Sequence, residues 1–281
     1  MNSDAQREQA ETFRRMHRNG KILLLPNAWD AMSARIFEAA GFAVVATTSA
    51  GVSYSLGWPD GELAPRDEMI AAIRRISDSV AIPVTADIES GFGAAASDVA
   101  ETVRRTIQAG AVGVNLEDTV QGAGRTLYDL PQAVARIGAA REAARAASVP
   151  IVINARTDVF LLGIGEKSGR FDEAARRLNA YREAGADCLY AMGYFDAETI
   201  GRLVRAVKGP LNVMGLPGTP PVAELQRLGV ARVSTASGPT RLAMTAIRKA
   251  AQDLLENGDF GIYGGDTIPH SNANALMARR G

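Results

Sequence analysis

The sequence has one cysteine, two histidines, few aromatic residues and no excess of charge of either sign. Phe, Trp and Tyr make up 6% of the 281 residues, and 31 Lys and Arg residues balance 31 Asp and Glu residues. Without a basic excess, the chain lacks the electrostatic signature of nucleic-acid binding or of an anionic membrane surface. The single cysteine, Cys188, cannot form a disulfide within these residues. Stability must therefore come from packing, as is usual for cytoplasmic proteins.

Long hydrophobic runs are also absent. No stretch approaches the roughly 20 apolar residues that span a bilayer, and the opening segment Met1–Gly20 is too polar for a signal peptide. We therefore expect a cytoplasmic protein. The two histidines, His17 and His270, lie near the two ends of the chain, which argues against a catalytic triad built on histidine.

Short β-branched runs alternate along the chain with longer segments of helical periodicity. This alternation predicts parallel strand pairing, and eight such units in about 250 residues match an α/β fold of the (β/α)8 TIM-barrel type. A doubly wound open sheet is the alternative, but PNAWD follows the first strand where a glycine-rich dinucleotide turn would be expected. The predicted strands are Ile22–Pro26, Ala43–Thr48, Pro83–Ile88, Val112–Glu117, Pro150–Ala155, Asp187–Met192, Pro210–Met214 and Ala231–Ala236.

No composition shift divides the chain, so one barrel domain is expected over residues 1–281, with a helical extension from about 238 to 281. Two segments do not fit the repeat: Gly51–Arg66 after the second strand and Val120–Leu130 after the fourth. Loops of this length in a compact domain are usually lids or binding elements.

Acidic residues gather at the carboxyl ends of the predicted strands, where barrel enzymes build their active sites. Asp87, Glu89 and Glu117 stand on neighbouring strands, where three carboxylates would repel one another. A hard divalent cation would relieve that repulsion, and Mg2+ suits a site with few direct carboxylates and several waters. The alternative is that these acids cap helices or pair with arginine at the rim.

Two further features could bind an anion. Arg156 ends a buried strand, where its guanidinium needs an anionic partner. That partner is either a substrate carboxylate or phosphonate, or an ion pair with Asp158 or Glu117. The segment Thr47–Gly51 offers hydroxyls and successive amides in a turn, which is a weak indication of an anion cradle.

Six motifs, in this order and on these strands, resemble those of the isocitrate lyase and phosphoenolpyruvate mutase superfamily. They are LPNAWDAMSARIFEAAGF, TTSAGVSYSLGWPDG, ADIESGFG, NLED, INARTD and PLNVMGLPGTP, and the similarity runs from about Leu23 to Leu255. The resemblance implies a Mg2+-dependent barrel enzyme that acts on a small 2-oxo or 2-hydroxy carboxylate through an enolate. It also implies a homo-tetramer in which the last helix, near Thr240–Glu256, is exchanged between paired subunits.

The resemblance also implies roles for individual residues. Asp87 matches a direct metal ligand, and Arg156 matches the arginine that binds the substrate anion. The metal candidates are Asp87, Glu89 and Glu117; the catalytic candidates are Asp60 and Arg156; the substrate-binding candidates are Ser49, Ala50, Gly51, Arg156 and the strand-end residue Asn212. Of the acids, Asp60, Glu89 and Glu117 match those that reach the metal mostly through water.

Departures from the superfamily pattern narrow the reaction. The loop EDTVQGAGRTLYD lacks the Cys and His of isocitrate and methylisocitrate lyases, and AMGYFD lacks their glutamate at the end of strand six. Thr119 replaces the Lys of phosphonopyruvate mutases and hydrolases, whose loop Asn is also missing. We predict a lyase or decarboxylase that breaks a carbon–carbon bond, resembling oxaloacetate decarboxylases. The alternatives are a carbon–phosphorus mutase or hydrolase that uses Arg125 and Arg156, or a catalytically silent oxo-acid binding protein.

Overall fold

The computed structural model describes residues 3–122 and 124–278. Residues 1, 2, 123 and 279–281 lie outside the described part, so the two ends of the predicted domain and the last three residues of the predicted extension lie outside it too. The strands are β1 (Leu23–Leu25), β2 (Asn27–Ala28), β3 (Val45–Thr47), β4 (Val84–Asp87), β5 (Gly113–Glu117), β6 (Thr119–Val120), β7 (Thr126–Leu127), β8 (Val152–Thr157), β9 (Cys188–Ala191), β10 (Leu211–Met214) and β11 (Arg232–Ser234).

Helices follow most of the strands. They are α1 (Ser3–Met16), α2 (Ala31–Ala39), α3 (Ser49–Ser55), α4 (Arg66–Ser79), α5 (Ala96–Gln108), α6 (Leu130–Ala146), α7 (Arg170–Glu183), α8 (Ala197–Ala206), α9 (Val222–Leu228), α10 (Gly238–Asn257) and α11 (His270–Met277). Two short 3₁₀ helices span Lys167–Gly169 and Gly261–Gly264. No helix within residues 3–122 and 124–278 combines the length and the apolar character needed to cross a bilayer.

The main sheet is a parallel barrel in the order β1-β11-β10-β9-β8-β5-β4-β3-β2. Its two edge strands are β1, which lies within the predicted strand Ile22–Pro26, and β2, which lies just beyond it. Pro26 separates the two because it has no N–H to donate to a ladder. β1 pairs with β11, and β2 pairs with β3, so the interrupted strand brings the two edges together. The predicted (β/α)8 barrel is confirmed.

Helix α1 covers the amino-terminal ends of the strands. Phe13 is fully buried, and Gln6 donates hydrogen bonds to the carbonyl groups of Ile107 (2.7 Å) and Ala111 (3.1 Å), just before β5. The opening segment, notable in the sequence only for its polarity, therefore closes the bottom of the barrel with its apolar face.

The two predicted long loops contain regular structure. Ser49–Ser55 forms α3 because Thr48 caps its first turn, so the expected loop Gly51–Arg66 is irregular only between α3 and α4. In the expected loop Val120–Leu130, β6 and β7 pair as an antiparallel hairpin, with Val120 opposite Thr126. Both segments still lie beyond the carboxyl ends of barrel strands, where they flank the acidic cluster formed by Asp60, Asp87, Glu89 and Glu117.

Candidate active site

Asp87 lies at the carboxyl end of β4 and is held from both neighbouring strands. Its Oδ2 accepts hydrogen bonds from the Ser49 backbone N–H (3.1 Å) and the Ser49 hydroxyl (2.9 Å). Its Oδ1 accepts a hydrogen bond from Asn115 Nδ2 (3.0 Å) on β5. These contacts fix both carboxylate oxygens, so Asp87 is a rigid and negatively charged centre for a site.

A ladder of amide side chains continues from Asp87 across the barrel. Asn154 Nδ2 on β8 donates to Asn115 Oδ1 (2.8 Å), while the buried Asn154 Oδ1 has no hydrogen-bond partner. Neither amide is among the predicted site residues. The signal for Asn115 was its spacing, because it lies two residues before Glu117 and therefore on the same face of β5.

Glu89 is a buried carboxyl with one oxygen left over. Its side chain is 2% exposed, its Oε2 accepts a hydrogen bond from the Glu62 backbone N–H (2.6 Å), and its Oε1 has no partner. The pKa of Glu89 is raised from 4.5 to about 8, chiefly by burial and then by the charges of Asp87, Asp60 and Glu62, in that order of importance. Among the described residues, Glu89 therefore has no cationic partner that would stabilise its ionised form.

Glu62, which the sequence analysis did not identify, ties the segment before α4 to the segment after β4. Its Oε1 accepts hydrogen bonds from Ser90 N (2.9 Å), Ser90 Oγ (2.7 Å) and Phe92 N (3.0 Å). Glu62, Glu89 and Phe92 all have positive φ angles, of 57°, 50° and 58°. Because non-glycine residues rarely adopt this conformation, the contacts of Glu62 hold a strained turn beside the cluster.

Arg156 lies on β8 directly beside Glu117 of β5, and the structure gives it two carboxylate partners. Its Nη1 lies 2.8 Å from Glu117 Oε2, and its Nε and Nη2 donate to Asp158 Oδ1 (2.6 Å) and Oδ2 (2.9 Å). The ion-pair alternative left open by the sequence is thus present. Burial raises the pKa of Glu117, Arg156 opposes the shift, and the negative charges of Asp158, Asp87 and Glu89 add to it.

Asp60 is the exposed member of the acidic group. Partial burial and the charge of Asp87 raise its pKa, whereas the charge of Arg156 lowers it. The structure therefore places Asp60 close enough to Asp87 for their charges to interact.

The predicted anion cradle Ser49–Gly51 is the first turn of α3 rather than an irregular turn. Two of its three amides already have partners: Ser49 N donates to Asp87, and Gly51 N donates to the capping hydroxyl of Thr48 (3.4 Å). A Cβ on Gly51 would lie 2.4 Å from Thr240 Oγ1 and 2.8 Å from Trp29 Cβ, so only glycine fits there. Ala50 lies between them at the amino-terminal end of the helix, where backbone amides favour an anion.

Two other polar residues serve the framework. Asn212 is fully buried on β10, and its Nδ2 donates to Ser234 Oγ (3.0 Å), so it meets the central cavity through Ser234. Asp118 Oδ2 accepts hydrogen bonds from Thr157 Oγ1 and Tyr181 Oη, both at 2.6 Å. These bonds join the carboxyl ends of β5 and β8 to α7 and hold the Glu117–Arg156 pair in place.

The central cavity lies inside the mouth of the barrel and has a volume of about 40 Å³. Asp87 and Arg156 line it, together with three residues that were not among the predicted site residues: Tyr190, Met192 and Arg232. Tyr190 Oη contacts Met192 Sδ (2.7 Å), and burial raises the pKa of the tyrosine.

The acidic group fits a hydrated divalent cation better than a fully protein-ligated one. Within residues 3–122 and 124–278, no three His, Cys, Asp or Glu side chains converge closely enough to hold a metal ion. Asp87 is well placed as a single direct ligand, Glu89 Oε1 has no partner in the described part of the chain, and burial together with the charge of Asp87 raises the pKa of both Glu89 and Glu117, so a nearby cation would stabilise their ionised forms. Mg2+ keeps several waters and needs only one or two direct carboxylates.

Comparison with known proteins gives concordant results. The family model for phosphoenolpyruvate phosphomutase matches residues 13–255. The chain is 33% identical over 231 residues to 2,3-dimethylmalate lyase of Eubacterium barkeri, which covers 78% of this chain and 77% of the relative. A crystal structure of a candidate lyase/mutase from Burkholderia cenocepacia J2315 superposes with a TM-score of 0.89 at 41% identity, covering 98% of this chain and 97% of that one. Oxaloacetate acetylhydrolase bound to the inhibitor 3,3-difluorooxalacetate gives 0.85 at 27% identity, covering 96% and 93%.

Proposed function

The chain belongs to the phosphoenolpyruvate phosphomutase family, within the isocitrate lyase/PEP mutase superfamily, and we propose that it is a Mg2+-dependent lyase. Its reaction breaks a carbon–carbon bond of a small 2-oxo or 2-hydroxy carboxylate, as in an oxaloacetate decarboxylase. One observation carries the proposal: Asp87 is held rigidly by Ser49 and Asn115 among carboxyls that lack enough positive charge.

In this proposal Asp87 would hold Mg2+ directly, and Asp60, Glu89 and Glu117 would hold it through water. Mg2+ supplies positive charge that favours the enolate formed when the carbon–carbon bond breaks. The Ser49 hydroxyl and the Asn115 amide keep the Asp87 carboxylate oriented. Arg156, anchored by Glu117 and Asp158, lines the cavity, where its two remaining N–H groups would attract an anionic substrate.

The region after β5 favours carbon–carbon chemistry without a dedicated side-chain acid. Thr119 occupies the position directly after the Glu–Asp pair, and its hydroxyl donates to Asp158 (2.6 Å), so it supports Arg156. Solvent can protonate an enolate without such an acid. Two relatives, 2,3-dimethylmalate lyase and oxaloacetate acetylhydrolase, are named for malate-type and oxaloacetate-type acids, which agrees with this substrate class.

The phosphonate alternative has less support from this chain. It requires Arg125 to hold the phosphonyl group together with Arg156. Arg125 is exposed between β6 and β7 and is not among the residues that line the central cavity. Carbon–phosphorus cleavage would appear in the functional test below as turnover of phosphonopyruvate alone.

We also propose a cytoplasmic homo-tetramer in which α10 packs on a second copy of the chain. Of the twenty residues of α10, only Thr240 is buried, while Leu242 is 73% and Ile247 is 69% exposed. Such apolar exposure on one helix is typical of a surface that another subunit covers. Sedimentation should give a tetramer for the wild type and a smaller species for Leu242→Ser/Ile247→Ser; a wild-type monomer would contradict the proposal.

The functional test incubates the protein and Mg2+ separately with oxaloacetate, 2,3-dimethylmalate, methylisocitrate and phosphonopyruvate, and reads all products by NMR. Asp87→Asn is the essential control, because Mg2+ alone slowly decarboxylates oxaloacetate. Asp78→Asn changes an exposed aspartate on α4 and is the matched control. We expect cleavage of a carbon–carbon substrate by the wild type and Asp78→Asn, and none above background by Asp87→Asn. Turnover of phosphonopyruvate alone, or of no acid, would contradict the proposal.

A further inference from the structure

A second arginine lies inside the barrel with no counter-ion. Arg232 lies on β11 and is 2% exposed, and its Nε and Nη1 are buried without any hydrogen-bond partner. Within the described ranges 3–122 and 124–278, no carboxylate lies within 4.0 Å of its guanidinium. A buried charge without a partner is costly, so its presence in the barrel interior needs an explanation.

The neighbours of Arg232 do not supply the missing anion. Burial raises the pKa of the Cys188 thiol to about 11 and also raises the pKa of the Tyr190 hydroxyl, so both are neutral at pH 7. Burial lowers the pKa of His17 to about 4, so this side chain adds no charge on the side of α1. Asp87 is the carboxylate that acts on Arg232 electrostatically, and its own oxygens already bind Ser49 and Asn115.

Arg156 and Arg232 line the same cavity but differ in what they can bind. Arg156 is committed to Glu117 and Asp158, which take three of its five N–H groups. Arg232 makes no such pair, although its guanidinium presents the same planar donor edge that binds a carboxylate with two parallel hydrogen bonds. The unpaired positive charge of this cavity is therefore on β11.

We propose that Arg232 binds a second anionic group of the substrate, so that the enzyme selects small dicarboxylates over monocarboxylates. This inference rests on the proposed lyase function and specifies its substrate class. The cavity of about 40 Å³ has room for a group the size of one or two waters, such as a carboxylate, but not for a bulky substituent. A dicarboxylate would place one anionic end on Arg232 and leave its 2-oxo or 2-hydroxy end near Asp87.

The test compares two ligands that share a 2-oxo-acid end and differ in the second carboxylate: 3,3-difluorooxaloacetate and pyruvate. Their dissociation constants are measured by calorimetry with Mg2+ for the wild type, Arg232→Met and Arg232→Lys. Arg75→Met, which changes an exposed arginine on α4, is the matched control. We expect Arg232→Met to weaken the dicarboxylate about 10-fold to 100-fold and pyruvate less than about 3-fold, with Arg232→Lys between the wild type and Arg232→Met.

A stability measurement separates binding from a structural role. Without ligand, Arg232→Met should have a Tm equal to or above that of the wild type, because it removes an unpaired buried charge. If Arg232→Met does not fold, Arg232→Lys must still weaken the dicarboxylate more than pyruvate. Equal weakening of both ligands, or no change for either, would overturn the inference. Failure of the lyase proposal is a separate result, since it appears as absent turnover while this binding difference persists.

Discussion

The two ends of the barrel handle buried charge in opposite ways. At the amino-terminal end, Asp187 is 4% exposed, and its carboxylate binds Arg14 (2.6 Å), Arg141 and the Ile153 backbone N–H (3.0 Å). At the carboxyl end, the pKa values of Glu117 and Glu89 are raised by burial and by the charge of Asp87, and Arg156 is shared between Glu117 and Asp158. The first end is balanced by the chain itself and stabilises the fold, whereas the second lacks positive charge that a ligand can supply.

The largest effect should come from the carboxyl end and should appear in activity. We expect Asp87→Asn to lower kcat/KM for the carbon–carbon substrate about 1,000-fold, because the direct ligand for a cation worth several kcal/mol of charge stabilisation is lost. Circular dichroism should show an intact barrel, since the amide has the size of the carboxylate and its oxygen can still accept the hydrogen bonds from Ser49. Retention of more than a tenth of the activity would show that the cluster does not centre on Asp87.

The equivalent change at the other end should appear in stability. Asp187→Asn removes the negative charge shared by Arg14 and Arg141, and we expect it to lower the free energy of unfolding by about 3–5 kcal/mol. Urea denaturation measures the loss. Arg145→Gln changes an exposed arginine on α6, the helix that carries Arg141, and its free energy of unfolding should stay within about 0.5 kcal/mol of the wild type. If the two variants are equally stable, the amino-terminal ion pairs are not what holds this end together.

The third prediction concerns stability above pH 5 without Mg2+. The pKa of Glu89 is raised from 4.5 to about 8, so the folded protein keeps a proton that the unfolded chain has released between these values. Stability should therefore fall as pH rises through this window. Glu89→Gln removes this contribution, so relative to the variant the wild type should lose on the order of a few kcal/mol between pH 5 and pH 8. Parallel stability profiles from urea denaturation in EDTA would contradict the assignment.

The smallest predicted effect has the opposite sign and belongs to His17 beneath the barrel. Its pKa is lowered from 6.5 to about 4, chiefly by burial and then by the charge of Arg232. Between these two pH values His17 is therefore neutral in the folded protein and protonated in the unfolded chain. Stability should fall as pH drops from about 6.5 towards 4. In urea denaturation, His17→Gln should reduce this acid-side loss by about 1–3 kcal/mol. In the double variant His17→Gln/Glu89→Gln the two changes in stability should add, since the sites lie at opposite ends of the barrel. If His17→Gln loses as much stability as the wild type between pH 6.5 and pH 4, His17 does not have this role.

Much of the fold could be predicted because its signals are local. Alternating strands and helices specified the barrel, and Asp87, Glu89 and Glu117 could be found because each ends a buried strand. The partner of Arg156 could not be decided, because an ion pair with Asp158 and a bound substrate satisfy the same need of a buried guanidinium. The Glu62–Glu89 contact joins residues 27 positions apart through an irregular turn and leaves no periodic signal.

Arg232 shows a different limit. Its signal was present, since an arginine in the strand ARVSTA poses the same question as Arg156 in INARTD. Only the structure shows that one of these arginines is paired and the other is not. The difference depends on which acids the neighbouring strands place within reach, which a single sequence does not reveal.

The most direct test of the charge imbalance is Mg2+ titration by calorimetry at pH 7 in two buffers with different ionisation enthalpies. We expect the wild type to bind Mg2+ and to release protons, because a cation beside Asp87 lowers the raised pKa values of Glu89 and Glu117. Asp87→Asn should bind at least about 10-fold more weakly. Binding without proton release, or equal binding by Asp87→Asn, would contradict the claim that the carboxyl end of the barrel binds a cation at Asp87.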